Sequence, residues 1–214
     1  MKRIFLILCI LSAMLTASSQ TPFTPVPVPD SVLQRMKGRS LPEGAKIDVN
    51  DLRYIKVIHF GTDSLSHVGE LVVNKKIADD IVDIMRTLYE AKYPIESVRL
   101  IDDFDAVDEK SMRANNSSSF CYRVVSGTKK LSKHALGMAI DINPLYNPYF
   151  KVDKANPKGY SHLEPATAEP YVDRKADFPM KITDGDFLVT LFKKHGFTWG
   201  GDWINYKDYQ HFQK

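Results

Sequence analysis

The sequence is short of cysteine, of charge imbalance and of long apolar runs, and each shortage removes a class of protein. Only Cys9 and Cys121 occur among 214 residues, and Cys9 lies inside an apolar N-terminal run. Once that segment leaves, one cysteine remains, so an internal disulfide is excluded whatever the redox compartment. Lysine plus arginine (29) barely exceed aspartate plus glutamate (26), and no basic block stands out, so nothing predicts nucleic-acid binding. Past the N-terminal run no stretch is long and apolar enough to span a bilayer, which takes about 20 residues. No internal repeat and no second domain is visible.

What is present starts with Lys2 and Arg3, an apolar run from Ile4 to Leu15, and the small residues Ala17, Ser18 and Ser19. That order predicts a secretory signal peptide over 1–19, cleaved before Gln20. The run is too short for a membrane anchor, and lipoprotein processing would need a cysteine just after it. Thr21–Pro29 holds four prolines and reads as an extended linker within 20–30, ahead of a domain over 31–214. Hydrophobic content of 43% with 26% charged residues fits a soluble globular domain.

Leu52–His59 and Gly69–Val73 read as strands. Asn74 reads as the cap of a helix over Lys75–Lys92, where Ile77, Ile81, Ile84, Met85 and Leu88 recur at spacings of three and four. Pro94 ends it, and Ser97–Ile101 reads as a strand. Asp102–Ser119, rich in Asn and Ser, is expected to be an exposed loop. Phe120–Val125 is expected to be a strand, with Phe120, Tyr122 and Val124 on one face and Cys121, Arg123 and Val125 on the other. Cys121 is then a half-buried strand cysteine rather than a nucleophile. Lys151–Phe178 is expected to be a surface insertion, and Asp186–His195 a helix ended by Gly196. Interspersed strands and helices without regular alternation predict an α+β class: a single domain with a mainly antiparallel sheet, flanking helices and a metal site on the sheet.

Two segments carry chemistry. In Ser132–Pro144, Ile140 and Ile142 point to one side of a strand and Asp141 to the other. A turn at Leu136–Gly137 would fold His134 back toward Asp141. Near the C-terminus stands Asp208-Tyr209-Gln210-His211. His134, Asp141 and His211 would give a catalytic zinc two imidazoles and a carboxylate, leaving a fourth position for water. Asp208, three residues before His211, is the candidate general base. Spacing alone does not establish the site, because each of these residues also has an ordinary surface or core reading. His59, His67, His162 and His195 match no ligand position and read as structural or surface residues.

The combination Ser132–His134–Gly137–Ala139–Asp141, followed some way on by Asp-x-x-His, resembles the zinc D-alanyl-D-alanine carboxypeptidase family, with its VanY-like carboxypeptidases and phage L-alanyl-D-glutamate endopeptidases. Ser119–Arg123, Asn143–Tyr149 and Gly200–Trp203 look like its bacterial branch, and the resemblance is clearest in 70–212. It implies one zinc per chain on His134, Asp141 and His211, Asp208 as base, and Arg123 holding substrate and the developing oxyanion. Ser132 is implied at the substrate, and peptidoglycan stem peptides as the partner. The implied activity is a peptidase, carboxypeptidase or endopeptidase, exported to the periplasm or secreted. Without the resemblance Arg123 reads as half of a surface ion pair. The rival reading is a non-catalytic, zinc-containing cell-wall-binding module of the same fold. Aspartate stands at the base position where many relatives carry glutamate, and Asp30–Gly69 matches nothing nameable.

Overall fold

The computed structural model describes residues 20–125 and 127–214, and the expected signal peptide, 1–19, lies outside the described residues. Two long strands, β2 (Leu52–Phe60) and β3 (Ser66–Asn74), pair antiparallel along their whole length. Alternation gives this hairpin two apolar faces, Ile55, Val57, Leu71 and Val73 on one and Leu52, Tyr54 and Val72 on the other. Helix α1 (Asp30–Met36) closes the second face with Val32 and Met36. Helix α2 (Ala78–Glu90) closes the first with Ile81, Ile84, Met85 and Leu88. Each such side chain contributes roughly 1.5–3 kcal/mol on burial, so the stripe holds α2 without a side-chain cap. Asn74 does not cap it. Its Oδ1 accepts the Lys76 amide while its Nδ2 donates to the Leu136 carbonyl, and the helix starts only at Ala78.

The proline-rich stretch, expected to be an extended linker, turns at Pro22–Phe23, where Phe23 has φ +59°, and then docks on the domain. Strand β1 (Val26–Pro27) lies on the open edge of β2, an edge position where a missing N–H is tolerated. The strand expected over Ser97–Ile101 shrinks to β4 (Ser97–Val98), followed by a 3-10 turn over Ile101–Phe104. The stretch expected to be an exposed loop holds α3 (Asp108–Arg113) and β5 (Asn116–Ser117), which runs parallel to β4. Those of its polar side chains that are buried find partners within the stretch and outside it. Asn116 bonds Ser97, Arg99 and Ser111, and the Asp102 carboxylate accepts the amide and hydroxyl of Ser40.

Phe120–Val125 forms no ladder. It bridges two neighbours: the amides of Phe120 and Tyr122 donate to the carbonyls of Val72 and Ser40, and that of Cys121 to His134. The predicted alternation of faces survives without the strand. Cys121 is fully rather than half buried, and burial pushes its thiol up to about 12, far from a reactive thiolate.

The C-terminal half carries two further antiparallel sheets. One places β11 (His211–Gln213) between β6 (Ala139–Asp141) and β9 (Thr198–Trp199). Helix α4 (Phe187–Lys194), capped by the Asp186 carboxylate on the Leu188 amide, packs Phe192 on Phe212 at 4.1 Å between ring centroids. The other sheet has β7 (Tyr149–Val152) between β8 (Tyr160–Glu164) and β10 (Tyr206–Asp208). The expected surface insertion therefore supplies a strand of this sheet. The whole is α+β with mainly antiparallel strands, β4 and β5 being the parallel exception.

Gly137 joins the halves. Its φ is +65°, and a Cβ there would lie 2.7 Å from the Asn74 nitrogen, which donates to the Gly137 carbonyl at 2.8 Å. Gly137→Ala should cost about 1–3 kcal/mol, read as a lower urea midpoint.

Candidate metal centre

His134 opens a 3-10 turn (His134–Leu136) that ends at Gly137 and feeds β6. The register of β6 and β11 sets His211 opposite Asp141 and Phe212 opposite Ile140. Ile140, Ile142 and Phe212 enter the core, which turns Asp141 and His211 to the other face. The turn brings His134 back over them. Its Nε2 lies 3.1 Å from Asp141 Oδ2 and 3.1 Å from His211 Nδ1, and His211 Nδ1 lies 2.9 Å from Asp141 Oδ1. One candidate ligand atom of each residue falls within 4.8 Å of the others, and the three are nearly or fully buried.

The outer ring nitrogens show what this cluster needs. His134 Nδ1 faces the Ser119 carbonyl at 2.5 Å and His211 Nε2 faces Gln213 Oε1 at 3.0 Å, so both must donate. The inner nitrogens then carry lone pairs. Two ring nitrogens and a carboxylate converge out of water, an arrangement that favours positive charge among them, carried by a proton or by a metal cation. Two imidazoles and a carboxylate, with outer hydrogen bonds fixing the rings, form a donor set that fits zinc. The proton equilibria point the same way. Burial would raise Asp141, yet the two imidazoles hold it well below the usual carboxylate range. Burial would lower His211, yet Asp141 lifts it to about 9. The pocket attracts positive charge.

Asp208 reaches this place from a different sheet. It ends β10 and pairs with Tyr149, whereas His211 pairs with Asp141, so Asp-x-x-His crosses from one sheet to the other. Its Oδ1 is buried and accepts no hydrogen bond. Burial pushes its carboxyl up to about 7, against the pull of His211 and Arg123.

Residues 126–214 match the family model described as D-alanyl-D-alanine carboxypeptidase. The match supports membership of the zinc D-alanyl-D-alanine carboxypeptidase family. No curated protein and no solved structure matches the chain. His134, Asp141, Asp208 and His211 all fall inside the matched stretch, and Arg123 just before it. At the level of the carboxypeptidase family, the match supports a zinc peptidase.

The other expected site residues border a cleft of about 460 Å³ with the His–Asp–His cluster among its lining residues. Arg123 lines it and is also ion-paired through Nε to Asp108 at the start of α3, a partly buried pair rather than the surface pair that the bare sequence suggests. The pair raises the Arg123 pKa although burial opposes it. Ser132 lines the cleft as well, but its Oγ accepts the His134 amide at 3.2 Å and thereby anchors the turn. His59, His67, His162 and His195 bond to Ile95, Asp63, Glu164 and Asp80, none of them in the cluster.

Sequence reading missed Asp108, Gln213, Glu164, Tyr149, Trp203 and Tyr206. The last four line the cleft, and the Trp203 ring lies 5.5 Å from that of His211. The aromatic C-terminal stretch was the available signal for Trp203 and Tyr206. Nothing in the spacing pointed to Gln213 or Asp108. Gln213→Ala should leave the fold intact and weaken binding of zinc about 10- to 100-fold by freeing the His211 ring, as measured by competition with a chelating dye.

Proposed function

We propose that the chain is a zinc metallopeptidase that hydrolyses a peptide bond in peptidoglycan stem peptides, of D-Ala-D-Ala carboxypeptidase or L-Ala-D-Glu endopeptidase type. The observation that carries this reading is the buried His134–Asp141–His211 cluster with an unpartnered Asp208 oxygen nearby, on the wall of one cleft. His134 Nε2, His211 Nδ1 and an Asp141 oxygen would hold the metal. Zinc there supplies a Lewis acid that polarises a carbonyl and makes water more acidic.

The protein's own groups do the rest. Asp208 takes the proton of the attacking water as the water oxygen bonds to the carbonyl carbon. It returns that proton to the departing amine when the C–N bond breaks. Burial keeps its affinity for a proton high enough for both tasks. Arg123 stabilises the carbonyl oxygen as negative charge grows on it. Its Nε is taken by Asp108, so its Nη donors make that contact.

A wall-binding module would have no use for a buried, unpartnered carboxylate oxygen beside a metal cluster, and this favours the enzyme. No helix among the described residues is long and apolar enough to cross a membrane. Export with processing before Gln20, to the periplasm or outside the cell, places the chain where its substrate is. N-terminal sequencing of the exported protein should then begin at Gln20.

Asp208→Asn should lower turnover about 10²- to 10⁴-fold while zinc stays bound. Mass spectrometry of digested muropeptides measures this and shows which bond is cut. Full turnover in that variant would sink the base assignment, and wild-type protein that holds zinc but cuts no muropeptide would favour the wall-binding module.

A further inference from the structure

Arg174 lies in the stretch expected to be a surface insertion, yet its guanidinium donates four hydrogen bonds. Nη1 donates to the carbonyls of Tyr146 at 2.8 Å and Tyr171 at 3.2 Å. Nη2 donates to Asn147 Oδ1 at 3.0 Å and the Ile182 carbonyl at 2.8 Å. All four acceptors are neutral, so these bonds hold the guanidinium plane in place rather than neutralise its charge. That plane lies over the Tyr209 ring, 4.3 Å from its centroid, well inside cation–π range. Asn147 is itself fully buried and bonds the Asn143 and Met180 carbonyls. The Asn143–Tyr149 motif, whose last residue pairs with Asp208, is thus also joined through Arg174 to Tyr209.

Tyr209 follows Asp208 directly. Its carbonyl accepts Trp199 Nε1 at 2.9 Å, and its ring also meets Phe150 and Trp199. On the other side the backbone of Asp208 rests on Gly200, where a Cβ would lie 2.4 Å from the Asp208 carbonyl oxygen. The Asp208–Tyr209 backbone is therefore held from two directions.

We propose that Arg174 is a positioning residue: bound to Tyr146, Asn147, Tyr171 and Ile182, it stacks on Tyr209 and fixes the backbone from which the Asp208 carboxylate projects. This rests on the reading of Asp208 as the proton-transfer group. An error of about 1 Å in such a group can cost about 10²-fold in rate without weakening substrate binding.

The test uses Arg174→Lys, which keeps the charge and loses the planar fork, Tyr209→Leu, which removes the ring, and the double variant. In each single variant kcat on purified muropeptides should fall between about 10- and 100-fold, with KM and zinc stoichiometry unchanged. Amide hydrogen exchange at 208–210 should quicken. The double variant should be no slower than the slower single one, because both remove the same contact. Near-wild-type kcat and exchange in a folded Arg174→Lys protein would overturn the proposal, as would multiplicative losses in the double variant. If Arg174→Lys fails to fold, kcat and exchange in Tyr209→Leu decide in the same way. Asp208→Asn is measured alongside. Full turnover there overturns the base assignment, while amide exchange in the other variants still decides whether the Arg174 stack holds this backbone.

Discussion

The cross-strand pairing of Asp141 with His211 is the constraint on which the site depends. Both strands are three residues long, and each places its chemistry beside a fully buried residue: Asp141 between Ile140 and Ile142, His211 next to Phe212. A slip of one residue would turn Asp141 into the core and an isoleucine into the cleft. The core therefore enforces the geometry of the cluster. Phe212 against Phe192, and Ile140 among the apolar side chains of α2 and α4, make any other register expensive.

Around that pairing, each polar group owes its state to a neighbouring side chain or carbonyl. Ser119 and Gln213 fix the two imidazoles so that their inner nitrogens carry lone pairs. The resulting concentration of acceptors draws in positive charge. Asp208 sits in the opposite condition, buried with a bare oxygen and a raised proton affinity. Two carboxylates in one cleft thus sit in different electrostatic surroundings, as the proposed roles of metal ligand and proton-transfer group require. The difference lies in whether imidazoles surround the group.

The parts of the chain that lack recognisable motifs serve as the frame. The β2–β3 hairpin supports the Gly137 turn, through which His134 is swung over Asp141. α3 contributes Asp108 to the arginine of the cleft. The stretch after β8 contributes Arg174, whose stack on Tyr209 borders the crossing between the two C-terminal sheets. Asp208 and His211 are neighbours in sequence but belong to different sheets, so the crossing needs support from both sides.

Local pattern was enough for α2, α4 and the β2–β3 hairpin, because period and turn chemistry act over a few residues. His134, Asp141, Asp208 and His211 stood out only when strand alternation, a glycine turn and an acid–histidine spacing were taken together with the family resemblance; each signal alone has an ordinary reading. Local pattern failed over 102–119 and 151–178, where polar composition suggested solvent. Asp102 is buried because Ser40, 62 residues away, satisfies it, and Asn116 depends on Arg99, 17 residues back, as well as on nearby Ser111; no local window shows the distant partners. The sequence alone singled out the residues proposed to bear the chemistry, and the alternation of Ile140 and Ile142 set the face of Asp141. How they are held came only with the folded chain, through Ser119 on His134, Asp108 on Arg123 and Arg174 on Tyr209. Hydrogen bonds and stacking between distant segments leave no periodicity for a sequence to show.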